Sequence, residues 1–476
     1  MKRLTSLFMA LCLVLGSAVS AGAFEVQVSG SMEFAFGYHN NIFVDEEADD
    51  GAAERTYAAQ RIRLLIELIA SENLRGVFQF TVGDFAEWGA AGQAQMYSGT
   101  NDDNSGPPFQ VRQAYIDWQV PDTALRVKMG FQQLTLPYAN FGNPIFDTSV
   151  AAVVTNASLT DNASLTAFWA RPFQTNALGT GDAAHNNLTD MFGLVFDYSG
   201  EIFSVSPWAL YAKLGNNSGW YESNINFTGM ADPVDPLLDP TYGPSVNENS
   251  DLFAFGLALT HTPTDALTIK FDGMYGQISD DGDRDYKAGG YWLALGVDYE
   301  LDWGTPGIFA WYASGDDADD LADNETGRLP GIGLDGSVWA SSFGFYGSQS
   351  IGYDGALNPT GAGTWGVGLQ IADMSFVEDL SHTARILYWQ GTNDDEIGKA
   401  TYAGPEPLSL YGMREVLYLT TEDSVIEVNF NTNYQIYENL TAALELGYMY
   451  LNADSDLNKN REESAYSAMM LFIYAF

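Results

Sequence analysis

Alternation of apolar and polar residues with period two is the dominant pattern along the chain. Between Glu25 and Tyr38, the residues Val26, Val28, Met32, Phe34, Phe36 and Tyr38 share one face, and Glu25, Gln27, Ser29, Ser31 and Glu33 share the other. That is the periodicity of an extended strand, whose successive side chains point to opposite sides. It recurs throughout. Ile62, Leu64, Ile66 and Leu68 oppose Arg61, Arg63 and Glu67; Leu125, Val127, Met129 and Phe131 oppose Arg126, Lys128 and Gln132. Further on, Leu267, Ile269, Phe271 and Tyr275 oppose Thr268, Lys270 and Asp272, and Ile426, Val428, Phe430, Thr432 and Tyr434 oppose Glu427, Asn429, Asn431 and Gln435.

The connections divide into two kinds. Short turns carrying Asp, Asn, Pro or Gly are expected at 71–75, 120–123, 159–162, 199–200, 262–266, 301–304 and 437–440. They alternate with long polar segments near 40–58, 85–109, 133–150, 173–189, 213–250, 277–288, 316–363, 392–423 and 452–464. A soluble sandwich would also alternate, but its connections would be similar at both ends. Short turns at one end and long loops at the other are the asymmetry of a transmembrane β-barrel. Nine loops and eight turns, one turn inferred from spacing, give 18 antiparallel strands in a single domain over 24–476. Sixteen is the alternative count, because two loops have indefinite limits and 415–420 reads equally as a strand. The barrel has to close, since an open edge in hydrocarbon would strand N–H and C=O groups at several kcal/mol each.

The beginning of the chain adds the compartment. Lys2 and Arg3, the apolar run Leu7–Leu15 and Ala21-Gly22-Ala23 form the charged, hydrophobic and cleavage regions of a signal peptide over 1–23. The expected location is the outer membrane of a Gram-negative cell. The lone cysteine, Cys12, lies inside that signal and follows no lipoprotein box, so the mature chain can form neither a disulfide framework nor a thiolate metal site. At the other end Tyr466, Ala468, Met470, Phe472, Tyr474 and Phe476 alternate up to a terminal aromatic, with Phe472, Tyr474 and Phe476 the expected barrel-assembly signal. Tyr38, Tyr299, Trp303, Tyr448 and Tyr474 are expected in aromatic girdles.

Charge excludes one class of partner. With 62 acidic against 20 basic residues and a net charge of −42, the chain repels nucleic acid. The acidic runs Asp45–Asp50, Asp280–Asp285, Asp316–Asp320 and Asp394–Glu396 all fall in expected outer loops, where they read as a solvated surface. Loose divalent cations bridging loops or lipopolysaccharide phosphates are the functional alternative; no specific metal site is expected. His39, His185, His261 and His382 are scattered singly, with no local serine and carboxylate constellation, so no catalysis is expected. The two G-x-G-x-x-G matches, at 331–336 and 361–366, open no helix after a strand and carry no nucleotide site; no cofactor is expected.

The polar faces hold more information. Arg61, Arg63, Arg126, Lys128, Lys270 and Arg385 fall on the phase facing the barrel interior, while Arg112 and Arg171 have no settled phase. These cations either pair with wall carboxylates such as Glu67 and Asp272 or form a charged constriction ring.

Several stretches resemble the outer-membrane homotrimeric porins of sulfate-reducing bacteria, within the general bacterial porin superfamily. They are Ser71-Glu72-Asn73-Leu74-Arg75-Gly76, Val111-Arg112-Gln113-Ala114-Tyr115, Ala167-Phe168-Trp169-Ala170-Arg171-Pro172, Leu380-Ser381-His382-Thr383-Ala384-Arg385 leading to Gly391-Thr392-Asn393, and Ile436-Tyr437-Glu438-Asn439-Leu440. The resemblance implies a homotrimer of water-filled pores, inserted by the barrel-assembly machinery, with a third long loop folded inward. That loop would be 133–150, whose single acid, Asp147, joins the expected constriction residues and whose Phe141-Gly142-Asn143-Pro144 departs from the acidic enterobacterial type. The reading is an outer-membrane porin for passive diffusion of small hydrophilic solutes and ions. The rivals are a substrate-specific channel with an aromatic slide drawn from Trp292, Trp365 and Trp389, and a structural or adhesive surface barrel.

Overall fold

The computed structural model describes residues 24–40, 54–88, 109–174, 188–215, 249–280, 287–322, 325–332, 363–396, 419–455, 458–459 and 464–476. The signal segment, Cys12, His185, and the acidic run at 45–50 lie outside them.

Each alternating segment forms one strand. In chain order these are β1 (Glu25–Asn40), β2 (Glu54–Ser71), β3 (Leu74–Glu87), β4 (Phe109–Gln119), β5 (Leu125–Thr135), β6 (Asp147–Thr160), β7 (Ala163–Gln174), β8 (Leu188–Ser199) and β9 (Phe203–Leu214). The second half adds β10 (Ser250–Thr264), β11 (Leu267–Asp280), β12 (Lys287–Tyr299), β13 (Thr305–Ala313), β14 (Thr364–Val377), β15 (Leu380–Gly391), β16 (Ser424–Tyr437), β17 (Leu440–Asn452) and β18 (Ser464–Ala475). Every strand pairs antiparallel with its sequence neighbours, and β1 pairs with both β2 and β18, which closes an 18-strand barrel. A two-residue piece, Glu325–Thr326, adds a parallel pairing to the start of β12.

The turn inferred from spacing is Glu378-Asp379, between β14 and β15, where Asp379 takes a left-handed φ of 60°. Asp and Asn tolerate that conformation better than other side chains. The strands run further than the polarity of the sequence suggests. β2 begins at 54, β5 continues to 135 and β6 starts at 147, so the third long connection is 136–146 and not 133–150. Pairing extends past the membrane because ladder hydrogen bonds stabilise a strand whether or not its side chains alternate cleanly.

The outward phase is apolar and exposed, as Phe192, Leu194, Phe253, Phe255, Leu293 and Leu295 illustrate. Aromatic residues bracket this belt. Trp303 stacks on Phe376 and Tyr474 on Phe476 at the turn end, while Tyr291 stacks on Tyr312 and Tyr38 contacts Tyr466 at the loop end. An apolar belt between two aromatic girdles is the surface of a protein that crosses a bilayer on strands, and it makes this an outer-membrane β-barrel.

The seam is locked at the chain end. Phe476 donates its N–H to the Gly30 carbonyl at 3.0 Å and accepts from the Gly30 N–H at 2.9 Å. The interior carries a second device. Four inward rings take up the space beside cross-strand glycines: Trp208 at Gly256, Trp311 at Gly366, Phe309 at Gly368 and Phe168 at Gly193. A Cβ at any of these glycines would sit 2.1–2.5 Å from a ring atom. The missing side chain lets a large ring lie along the wall, the aromatic rescue of sheet glycine.

Candidate functional site

Lumen chemistry follows from which inward positions are charged and what covers them. On the wall formed by β1 to β5, Arg61 donates to Glu33 at 2.7 Å. Below it Arg75 bridges Glu67 at 2.8 Å and Asp117 at 2.9 Å, and Arg126 reaches Asp117 through Nε at 2.7 Å. Lys128 is the cross-strand neighbour of Asp117, with its ammonium 5.7 Å from the Tyr115 ring centroid. Arg63 stands half-buried between Ser31 and Thr81 on the same wall. The side chains of Arg75 and Arg126 are 37% and 46% exposed, whereas the Asp117 side chain between them is 3% exposed. This wall therefore presents guanidinium and ammonium groups to the lumen and keeps its central carboxylate behind them.

The opposite wall has a different balance. Lys270 bonds Asp298 at 3.1 Å, and Gln370 donates to the other Asp298 oxygen at 2.9 Å. Arg385 lies over the Phe309 ring at 5.8 Å, and Glu427 and Asp272 are fully buried. Of the expected constriction residues, Arg61, Arg63, Arg126 and Lys128 thus share one wall, and Lys270 and Arg385 belong to the other.

Asp147 belongs to neither. It opens β6 two residues before Ser149 and three before Val150, and Val150 packs into the interior cluster. Its carboxylate accepts from Gln133 at 2.7 Å and from the Thr135 hydroxyl. The alternation of a strand that begins at 147 carries this side chain to the outward rim, so it is withdrawn from the constriction. Trp365 is likewise outward, beside Tyr388, and Trp292 and Trp389 point inward but are fully buried, so none of the three lines an open slide.

Between the walls runs the connection 136–146. Asp272 on β11 accepts the backbone N–H groups of Ala139 at 2.6 Å and Asn140 at 2.8 Å, and the Asn140 amide at 2.9 Å. Phe141 meets Phe309 at 5.2 Å, edge to face, and Asn143 accepts from the N–H groups of Ile145 and Phe146. A second segment, 327–332, lies alongside: Ile332 donates to the Ile145 carbonyl at 2.8 Å. Leu136, Ile145, Phe146, Leu329 and Ile332 pack with Trp208, Leu252, Ile278, Trp292, Trp311 and Trp389 in one buried cluster. The arc from β6 to β17 is therefore filled toward its loop end, while the β1 to β5 arc buries the Arg61–Glu33 pair and keeps Arg75 and Arg126 exposed near its turns.

The loop bases above are tied by buried polar groups. Asn393 donates to the Leu419 carbonyl at 2.6 Å and accepts from the Asp316 N–H at 3.0 Å. Asp316, beside Arg328, accepts from the Thr326 hydroxyl. Asp423 accepts from Thr420, Ser455 and Asn458. Asp316, read from sequence as part of a solvated acidic surface, is buried instead because it closes this clasp. The Gly391-Thr392-Asn393 stretch and the Arg75 of the Ser71–Gly76 stretch thus have structural work that their sequence did not disclose.

Among the described residues the histidines form no cluster with one another. His382 shares a 2.9 Å hydrogen bond with Thr432 and stacks on Phe430, and His261 bonds the Ile202 carbonyl. Among the described residues no group of three or more His, Cys, Asp or Glu is arranged to hold a metal ion.

No protein-family model matches the chain, and no curated protein is similar to it in sequence. Solved structures are similar in fold. OccK8 (OprE) of Pseudomonas aeruginosa is 10% identical with a TM-score of 0.52, covering 96% of this chain and 99% of that one. The outer-membrane protein OprD of the same organism is 13% identical with a TM-score of 0.51, covering 94% and 93%. Pseudomonas aeruginosa OpdK, solved with vanillate, is 11% identical with a TM-score of 0.51, covering 94% and 98%. The chain thus has the closed 18-strand barrel fold of outer-membrane channel proteins.

Proposed function

We propose that the protein is a porin: a water-filled channel for passive diffusion of small hydrophilic solutes and ions across the outer membrane, probed electrostatically by the wall of β1 to β5. The observation that carries this is the exposure of the Arg75 and Arg126 side chains, 37% and 46%, on the inner face of a closed barrel in a membrane. An ionised group held without water costs many kcal/mol, so these cations, one residue in from the turns, call for water at the turn-end mouth, and Lys270, 35% exposed and further in on the other wall, extends that demand into the lumen. The signal segment 1–23, assembly through Phe472, Tyr474 and Phe476, a homotrimeric state, and membership of the sulfate-reducer porins belong to the same proposal, supported by the sequence stretches that resemble that family.

A substrate-specific channel is the second reading. It is favoured by the two interior segments, 136–146 and 327–332, and by the packed apolar arc, which confine solutes to the charged side. The likeness to OprD, OccK8 and OpdK agrees with either. Liposome swelling separates them: a general porin passes unrelated sugars at rates falling smoothly with size, a specific channel saturates with one class, and an adhesive barrel passes little.

Ion selectivity tests the wall itself. Acidic outer loops concentrate cations at the mouth, but screening confines that attraction to roughly 8 Å at physiological salt. The expected outcome is a modest cation preference at low ionic strength that weakens or inverts as salt rises. Arg126→Glu with Lys128→Glu should raise cation over anion permeability, read as a shifted reversal potential in a salt gradient. A double variant indistinguishable from the parent at both salt levels would remove these residues from the conduction path.

A further inference from the structure

We infer that Asp272 is the positioning residue of the constriction, an anchor that holds the connection 136–146 against the β11 to β13 wall and so sets the width of the open side. The inference rests on the channel reading above and names the residue on which its bore depends.

Three observations converge on this point. The Asp272 carboxylate takes three donors from two consecutive residues of the crossing segment, the N–H groups of Ala139 and Asn140 and the Asn140 side-chain amide, at 2.6–2.9 Å. Two consecutive backbone N–H groups facing the separate oxygens of one carboxylate fix both the position and the orientation of the segment. Charge-assisted bonds of this kind are shorter and stronger than neutral ones. Asp272 is itself fully buried, so these donors stand in for the water it lacks. Lys270, two residues away, is engaged by Asp298, which leaves the loop as the carboxylate's hydrogen-bonding partner.

The wall is also shaped to receive the segment. A Cβ at Gly296, on the neighbouring β12, would lie 2.5 Å from the Asn140 side-chain oxygen, so any larger residue there would have to displace that amide from its place beside Asp272. The segment is also tied at its ends, where Leu136, Ile145 and Phe146 pack into the buried cluster and Ile332 donates to Ile145, and by the Phe141 ring against Phe309 and Trp311; Asp272 is what holds the 139–140 stretch between them to β11. Removing the carboxylate leaves two buried backbone N–H groups without an acceptor, and the nearest remedy is for the segment to move toward the water of the open side.

The test has a readout independent of conduction. Gly296 and Asn140 face each other across the contact, a Cβ at 296 lying 3.7 Å from the Asn140 Cγ, whose place a cysteine sulfur at 140 would take in the same rotamer. The mature segment contributes no competing thiol, because the one cysteine in the chain is Cys12. In purified, folded protein in detergent, Asn140→Cys with Gly296→Cys should oxidise readily when Asp272 is present. Adding Asp272→Ala should slow that cross-link markedly. Asp272→Asn, which keeps one acceptor oxygen, should fall between.

In planar bilayers Asp272→Ala should exchange a single conductance level for several noisier ones, and the oxidised cysteine pair in the Asp272→Ala background should restore one level until reductant is added. Equal cross-linking rates in all three backgrounds, or a quiet parental conductance for Asp272→Ala, would overturn the anchor. A parent that passes no current would instead sink the channel reading, and the cross-linking comparison would still judge the anchor.

Discussion

An arginine scanned along the outward face of β12 should report depth in the membrane. Tyr291 and Tyr299 lie on that face at the two ends of the strand, eight positions apart, with Leu293, Leu295 and Val297 between them. At about 3.4 Å per residue and a strand tilt of about 40°, the two rings are separated by about 21 Å along the membrane normal. Leu295, four residues from each, therefore sits about 10 Å from either girdle, at the midplane. Its side chain is 48% exposed on the outer surface, where lipid replaces water.

The expected cost of Leu295→Arg is about 2–4 kcal/mol, falling to about 0–1 kcal/mol for Tyr291→Arg at the interface. Leu293→Arg and Val297→Arg should lie between. Because about 1.4 kcal/mol is a factor of ten, the midplane variant should lose at least roughly 30-fold in its folding equilibrium. Urea-driven folding into phosphatidylcholine vesicles, followed by tryptophan fluorescence, measures the series, and the slope with urea should stay constant if only stability changes. A flat profile, or a maximum at Tyr291, would show that this face does not meet hydrocarbon and would refute the assignment of outward phase on which the barrel rests.

Deleting Phe476 removes both hydrogen bonds to Gly30 and the ring that covers it, so export should continue while outer-membrane insertion falls, as read from heat-modifiable protein in membrane fractions. Gly256→Val and Gly368→Val each force a ring off the wall, Trp208 and Phe309 respectively; overpacking of this kind should cost about 1–3 kcal/mol in the same folding assay, and full parental stability would show that the rings have room to move.

The strands were legible because two separate constraints write the same pattern. The pleat sends alternate side chains to opposite faces, and lipid demands that one of those faces be apolar along the whole span. Glu25–Tyr38 and Ile426–Tyr434 obey both, and their phases are those of β1 and β16. Turn chemistry supplied the count, down to the Glu378-Asp379 turn that spacing alone required.

Inside the barrel only the first constraint operates, and the reading weakens there. Asp147 was given to the lumen as part of an inward-folded loop, when the four residues 147–150 are strand and its phase there is outward. The apolar residues Leu252, Trp292 and Trp389 occupy inward positions where a uniformly hydrated lumen would need polar ones; they are satisfied by Leu136, Phe146 and Leu329 from segments distant in sequence. No local pattern can announce such a partner. The glycines at 193, 256, 366 and 368 were equally silent, since the meaning of each lies in the ring across the ladder.

The buried carboxylates explain how one interior can hold both a packed arc and a wet one. A carboxylate in the packed arc is tolerable only where donors replace its water, and Asp272, Asp316 and Asp423 each have them: the crossing segment, Thr326 with Arg328 nearby, and the Thr420, Ser455 and Asn458 groups. Those donors all come from connections between strands, so the acids bind loops to the wall and are spent in doing so. On β1 to β5 the arrangement is reversed, because Asp117 is covered by Arg75 and Arg126, whose outer edges remain in water. The wall carboxylates are thus the less exposed partners: the Glu67 and Asp298 side chains keep 21% and 16% exposure, against 37% and 46% for Arg75 and Arg126. A chain of net charge −42 can in this way turn guanidinium groups toward its interior along β3 to β5, with Asp117 covered by the two arginines that pair with it.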